Sequence, residues 1–283
     1  MLSGMAPLSG KTIALTAERR ADEFAALLER RGARTVHVPA IHVLPLLDDS
    51  DLREKTADFI ERPPELTVIS TGIGFRGWLD AAEGWGNREE LLAALGSTRI
   101  IARGPKARGA IRGAGLREIW SPTTEASQEV ADHLAAEGVA GVDVAVQLHG
   151  TITEWEPTIH LSEALGRLGA DVRAIPVYRW IRPVDQQPLI DLLAEILNHD
   201  VDAVTFTSAP AVASMLSTAK DNGLLDEFLT ALRGPVVAIC VGPVTSAPLD
   251  ALDVPTRMPE RARLGSLAKY VVEQLGAGAQ PAE

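Results

Sequence analysis

Short apolar runs alternate with amphipathic stretches along most of the chain. KTIALT (11–16) precedes ADEFAALLERRG (21–32), LTVIS (66–70) precedes GFRGWLDAA (74–82), and TRIIARG (98–104) precedes PKARGAIRGAG (105–115). Runs that stay apolar without alternating are expected of strands covered on both faces, and the stretches after them have the helical period. Phe24, Leu27, Leu28 and Arg31 recur at that period ahead of Gly32, a residue suited to the left-handed C′ position. Pro105 and Pro243 each follow Gly, and Pro210 comes just after Ser208, at the end of an apolar run, where proline fits the first helical turn. Strand–helix alternation of this kind predicts an α/β fold on parallel sheets, with loops at the carboxyl ends of the strands as the binding surface.

The pattern repeats at an offset of about 137 residues. ERRGARTVHVP (29–39) matches GRLGADVRAIP (166–176), placing Gly32 over Gly169. TVISTGIGFRGWL (67–79) matches VTFTSAPAVASML (204–216), placing Ser70 and Thr71 over Thr207 and Ser208. RIIARGPKARGAI (99–111) matches VVAICVGPVTSAPL (236–249), placing Gly104 and Pro105 over Gly242 and Pro243. Three matches in one order imply an internal duplication. VPAIHVLPLL (38–47) and IPVYRWIRPV (175–184) interrupt the alternation at equivalent places and read as extended, proline-punctuated connectors. The expected organisation is discontinuous: residues 1–38 with 185–275 form one α/β domain and 48–174 the other. Residues 39–47 and 175–184 are connector strands, and 276–283 a tail or linker. A single cut near residue 140 is the rival division.

At 283 residues the chain is long enough for about two domains. The 46% of apolar residues and 23% of charged ones exclude a disordered or fibrous class, and with only 4% aromatics the interior falls to aliphatic side chains. One cysteine, Cys240 in VVAICVG, rules out an internal disulfide and a cysteine-rich zinc site, and reads as a buried, inert thiol. No apolar window approaches the roughly 18 residues of a membrane span, and MLSGMAPLSGK lacks a leader pattern. A cytoplasmic protein, monomeric and off the membrane, is expected. The formal net charge of −11 opposes nucleic-acid binding by this chain, so an anion site has to be built locally.

Hydroxyls stand at the strand-to-helix turns: Ser70 with Thr71, Thr207 with Ser208, Thr245 with Ser246. Each either caps its own helix or, with the free N–H groups there, holds an anion; the sequence leaves both open. Basic residues without an intervening acid run from Arg99 through Arg103, Lys106, Arg108 and Arg112 to Arg117. Arg103 and Lys106 flank the Gly104–Pro105 turn and are the candidates to meet an anion; the rest read as a solvated face. Tyr178 in VYRW is either a packing aromatic or a proton donor, since a phenol with a pKa near 10 stays protonated. The scattered histidines show no ligand spacing, so no metal is expected. GIGFRG (72–77) has dinucleotide-fingerprint glycines without the later acidic residue, and EWEP (154–157) reads as a polar turn.

FTSAPAV (206–212), VGPVT (241–245), GADVRAIPVYRW (169–180) and IALTAERRADEFAALLERRGA (13–33) together resemble the uroporphyrinogen-III synthase family, over nearly the whole chain. The resemblance implies two flavodoxin-like domains joined by a two-stranded β connector, with the active site between them. It implies cyclisation of hydroxymethylbilane, a linear tetrapyrrole with eight carboxylates, with inversion of the last pyrrole ring and no cofactor. By the same resemblance Tyr178 assists departure of the hydroxyl, while Ser70, Thr71, Thr207, Ser208, Gly242 and Thr245 hold carboxylates. Three positions depart from the family pattern: Ala17 and Ala107 stand where Arg and Thr are usual, and His149 replaces an Arg before Gly150. A second reading is a ligand-sensing module of a transcriptional regulator, continued beyond Glu283 into a DNA-binding domain. A hinged solute receptor is the third.

Overall fold

The computed structural model describes residues 6–45, 49–148, 155 and 160–276. The chain divides into two compact units. Unit 1 comprises Met1–His42, Ile152–Pro157 and Ile181–Glu283; unit 2 comprises Val43–Thr151 and Thr158–Trp180. A small antiparallel ladder of β3 (His42–Pro45) and β8 (Tyr178–Ile181) joins the two sheets.

In unit 1 the strands β1 (Thr12–Leu15), β2 (Arg34–His37), β9 (Ala203–Phe206), β10 (Val237–Cys240) and β11 (Thr256–Arg257) form a parallel sheet in the order β11-β10-β9-β1-β2. This is the flavodoxin-like order, whose switch point lies between β1 and β9. Helices α1 (Ala21–Glu29) and α12 (Leu264–Leu275) cover one face, burying Phe24, Leu28, Leu267 and Val271 against Ile13, Leu15 and Ile239. Helix α9 (Ala209–Asp221) packs on α8 (Gln187–Leu197), α10 (Leu225–Arg233) and α11 (Pro243–Asp250) and is buried without a break from Ala211 to Ala219. Its small residues permit that all-round burial.

In unit 2, β4 (Leu66–Ile69), β5 (Arg99–Ala102), β6 (Asp143–Leu148) and β7 (Asp171–Pro176) form a parallel sheet in the order β5-β4-β6-β7. A parallel bridge from Ile101 to Trp120 extends it past β5. Helices α2 (Ser50–Glu61), α3 (Gly72–Trp85), α4 (Arg88–Gly96) and α5 (Pro105–Gly113) cover one face, where Leu52, Phe59, Phe75, Trp78 and Leu95 meet Ile69 and Ile100. Helices α6 (Ser127–Glu137) and α7 (Leu161–Arg167) cover the other, with Val130, Leu134 and Leu165 against Val68 and Val146. Both sheets follow one plan. Matching β9, β10, β1 and β2 to β4, β5, β6 and β7 superimposes the orders, with the Trp120 bridge in place of β11.

Three local features differ from the sequence-based expectation. Helix α1 stops at Glu29, so Gly32 takes its positive φ of 92° two residues beyond the Arg30 cap rather than at C′. A second helix follows α3 and α9 before the next strand, α4 in one case and α10 in the other. Trp155 is more than part of a polar turn: its Nε1–H donates to Ser217 Oγ at 2.8 Å, and Lys220 Nζ lies 5.6 Å from the ring centroid. Glu154 and Glu156 lie outside the described residues.

Cys240 is fully buried on β10, and burial pushes its thiol well above the ordinary range. The folded chain should therefore leave an aromatic disulfide reagent unreacted at neutral pH and consume one equivalent in urea; rapid reaction of the native protein would contradict the burial.

The guanidinium of Arg173 on β7 ties three elements of unit 2. Nε donates to Asp143 Oδ1 at 2.8 Å and Nη2 pairs with Asp143 Oδ2, while Nη1 donates to Asp58 Oδ2 at 3.1 Å and to the Arg62 carbonyl at 2.8 Å. The Arg62 hydrogen bond, with the Arg62 and Arg173 charges, holds the Asp58 carboxyl below its usual range. Stability from a depressed carboxyl is present above the unfolded pKa, about 3.9, and is lost as pH falls through the lower folded value. In urea titrations at stepped pH, the stability difference between wild type and Asp58→Asn should be constant at neutral pH and shrink only in acid. A difference independent of pH would show that Asp58 acts without its charge.

Candidate functional site

The carboxyl ends of β4 and β5 bring five expected site residues together in unit 2. Ile69 and Ala102 are in register, and the Arg103 N–H donates to the Ile69 carbonyl at 2.9 Å, setting the Ser70–Thr71 turn beside the Arg103–Gly104 turn. Closeness continues into the helices. A Cβ at Gly72 would collide with the Lys106 backbone carbonyl, so the first turns of α3 and α5 touch through a position that only glycine fits. Gly72→Ala should cost about 1–3 kcal/mol in thermal or urea unfolding, and a neutral result would mean that the two turns separate freely.

Thr71 is the N-cap of α3. Its Oγ1 accepts from the Gly74 N–H at 3.1 Å, and its own N–H donates to Gln147 Oε1 at 3.2 Å. Ser70 is buried, and its hydroxyl makes no hydrogen bond among the described residues. Arg103 Nη1 reaches Ser127 Oγ at 3.4 Å, whereas the exposed Lys106 has no ion pair among the described residues. Gly104 is extended, and a Cβ there would press on the Glu125 side chain at 2.7 Å. Ala107 is 2% exposed and contributes a packed methyl. Of the remaining basic run, Arg112 is bound to Glu118 and Arg99 to Glu137, with both guanidinium side chains more than half exposed.

Unit 1 repeats the arrangement with Thr207, Ser208, Gly242 and Thr245. Phe206 is in register with Cys240, and the Val241 N–H donates to the Phe206 carbonyl at 2.9 Å. Gly242, with φ 178° and ψ 177°, repeats the backbone of Gly104 at 177° and −178°. Ser208 is the N-cap of α9 in the same extended conformation as Thr71, yet its side chain makes no cap bond, and Pro210 in the first turn has no N–H. Thr245 is 5% exposed, and its hydroxyl has no partner among the described residues; neighbouring Ser246 is used internally by the Pro243 carbonyl and Asp250. Uncapped N–H groups, hydroxyls and the helix dipole suit a carboxylate.

Beside this turn, Thr16 donates to the Thr205 carbonyl at 2.8 Å and the Ala17 carbonyl is bonded to His37 Nε2 at 2.7 Å. Arg20 is engaged by Glu23, while Arg19 is exposed. Tyr178 lies on β8, but its side chain, like His149, is outside the described residues. The functional candidate that the sequence reading missed is Gln147. It sits fully buried beyond the apolar run Val144–Val146 of β6, and that lone amide was the available signal.

Among the described residues no group of three or more histidine, cysteine, aspartate or glutamate side chains is placed to hold a metal ion, and no helix is long and apolar enough to cross a membrane.

The family model for uroporphyrinogen-III synthase HemD matches residues 22–269. The chain belongs to that family. Among individual proteins, it is 31% identical over 278 residues to the Bacillus subtilis "uncharacterized protein YjjA", covering 94% of this chain and 98% of the relative. It is 27% identical over 151 residues to a putative uroporphyrinogen-III synthase of Methanothermobacter thermautotrophicus, covering 52% of this chain and 58% of that one. Among solved structures, a mutant uroporphyrinogen III synthase of Thermus thermophilus superposes with a TM-score of 0.77 at 26% identity, over 94% of this chain and 99% of that one. The Helicobacter pylori synthetase, at 12% identity and a TM-score of 0.51 over 93% and 99%, shares the fold. The HemD-family fold thus accounts for the doubled sheet plan and for the connector ladder.

Proposed function

We propose that this HemD-family chain is itself a uroporphyrinogen-III synthase, converting hydroxymethylbilane to uroporphyrinogen III and water. The observation that carries the reading is the state of the turns: among the described residues the hydroxyls of Thr207, Ser208 and Thr245 have no partner, in a family whose substrate bears eight carboxylates. The terminal carbon–oxygen bond of the bilane breaks, and the departing hydroxide takes a proton and leaves as water. The resulting cation is attacked by the last pyrrole ring at its substituted carbon to give the spiro intermediate. That ring reopens, recloses inverted and loses a proton. The chain's own contribution is to fold and hold the polycarboxylate while one acid assists the leaving group. Tyr178 is the residue assigned to that acid; Ser70, Thr71, Arg103, Gly104, Lys106, Thr207, Ser208, Gly242 and Thr245 are assigned to binding. Neither a metal nor an organic cofactor is required.

A second reading, a sensor that binds the bilane or a related polycarboxylate without converting it, is favoured by the packed methyl of Ala107 where the family carries a hydroxyl. Turnover separates the two. A synthase at catalytic concentration consumes hydroxymethylbilane faster than its spontaneous closure, whereas a sensor protects at most one equivalent.

A further inference from the structure

Register aligns the two duplicated turns residue by residue. Leu66 and Ala203 open equivalent strands, so Thr71 corresponds to Ser208, and Gln147 on β6 corresponds to Thr16 on β1. In unit 2 the turn is closed from within. Gln147 Oε1 accepts the Thr71 N–H at 3.2 Å, its Nε2 donates to the Leu148 carbonyl at 2.7 Å, and Thr71 Oγ1 is occupied by the Gly74 N–H. In unit 1 the shorter Thr16 side chain is turned to the Thr205 carbonyl, and neither the N–H nor the hydroxyl of Ser208 finds a partner among the described residues. The adjoining Thr245 hydroxyl, on a residue 5% exposed, is likewise unpartnered. A buried amide that satisfies a backbone donor is costly to remove, since the donor left behind loses water and partner together.

We infer that Gln147 is a positioning residue that seals the Ser70–Thr71 turn, so that the duplicated turns have diverged into one closed copy and one open copy, with the Thr207–Ser208 turn and Thr245 of unit 1 as the carboxylate grip. The open-copy half of this inference rests on the synthase or sensor reading above; the seal does not. Two measurements on the full chain test the halves separately. Backbone amide exchange by NMR reads the seal. Gln147→Met should speed exchange at Thr71 by about tenfold or more relative to wild type, whereas Gln147→Glu, which keeps an acceptor oxygen, restores most of the protection. Unchanged exchange at Thr71 in Gln147→Met overturns the seal.

Titration with the stable octacarboxylate uroporphyrin III reads the grip. Ser208→Ala and Thr245→Val should each weaken binding by about fivefold or more with little change in melting temperature. Thr71→Ala should lower the melting temperature and weaken binding less than either of those substitutions. Binding that depends on Thr71 more than on Ser208 and Thr245 overturns the grip. Absence of any binding by wild type removes the polycarboxylate reading and the grip together, while the exchange data still decide the seal.

Discussion

Replacing Tyr178 by phenylalanine should lower the turnover of hydroxymethylbilane by about a hundredfold, with the melting temperature and affinity for the bilane nearly unchanged. The magnitude follows from the role proposed for Tyr178. A positioned general acid contributes about 10²–10⁴-fold, and a phenol with a pKa near 10 holds its proton at neutral pH and can donate it to a departing hydroxide. Phenylalanine keeps the ring and removes the proton. Because the bond to oxygen breaks after the substrate is held, the loss falls on kcat and not on KM. Tyr178 lies on β8, one of the two strands of the connector ladder. An unchanged kcat in Tyr178→Phe would take the residue out of the mechanism and leave the hydroxyl's departure to another acid.

The largest effect on stability is expected at Trp78. This side chain is fully buried in unit 2, meets Phe59 edge-on at 5.2 Å between ring centroids, and donates from Nε1 to Thr56 Oγ1 at 2.9 Å. Thr56 in turn donates to the Leu52 carbonyl at 2.7 Å, so the indole closes a buried polar chain between α3 and α2. Trp78→Ala opens a cavity among Leu52, Phe59 and the sheet and should cost about 3–5 kcal/mol, a large share of the roughly 5–15 kcal/mol that holds an ordinary domain together. In thermal unfolding that is a fall of about 10 °C or more. Trp78→Phe retains much of the packing and gives up the N–H, and should fall between the two. A shift of under about 2 °C in Trp78→Ala would mean that the core of unit 2 refills the space.

Much of the fold was legible because a doubly covered parallel strand has to be apolar throughout. KTIALT, LTVIS and the run ending at Phe206 therefore stand out as β1, β4 and β9. The duplication was legible too: the sequence placed Ser70 and Thr71 over Thr207 and Ser208, and the strand registers give the same pairing. What local sequence does not carry is how a turn hydroxyl is spent. Thr71 and Ser208 have the same backbone conformation, and the difference in their surroundings is made by Gln147, 76 residues away from Thr71 in the chain. The anchoring of Trp155 was hidden for the same reason, since its partner Ser217 is 62 residues distant. Helices α4 and α10 went unread although Gly86–Asn87 and Asn222–Gly223 mark the turns ahead of them, because each is only nine residues long and follows its predecessor after a short turn.

The isomer formed from hydroxymethylbilane tests the central claim most directly. Left alone, the bilane closes without inversion to the type I porphyrinogen; supplied with catalytic amounts of the purified chain, it should give type III as the dominant product after oxidation to the porphyrin. Type I alone, even with protein in excess over bilane, would contradict the account and leave a family member that holds polycarboxylates without rearranging them.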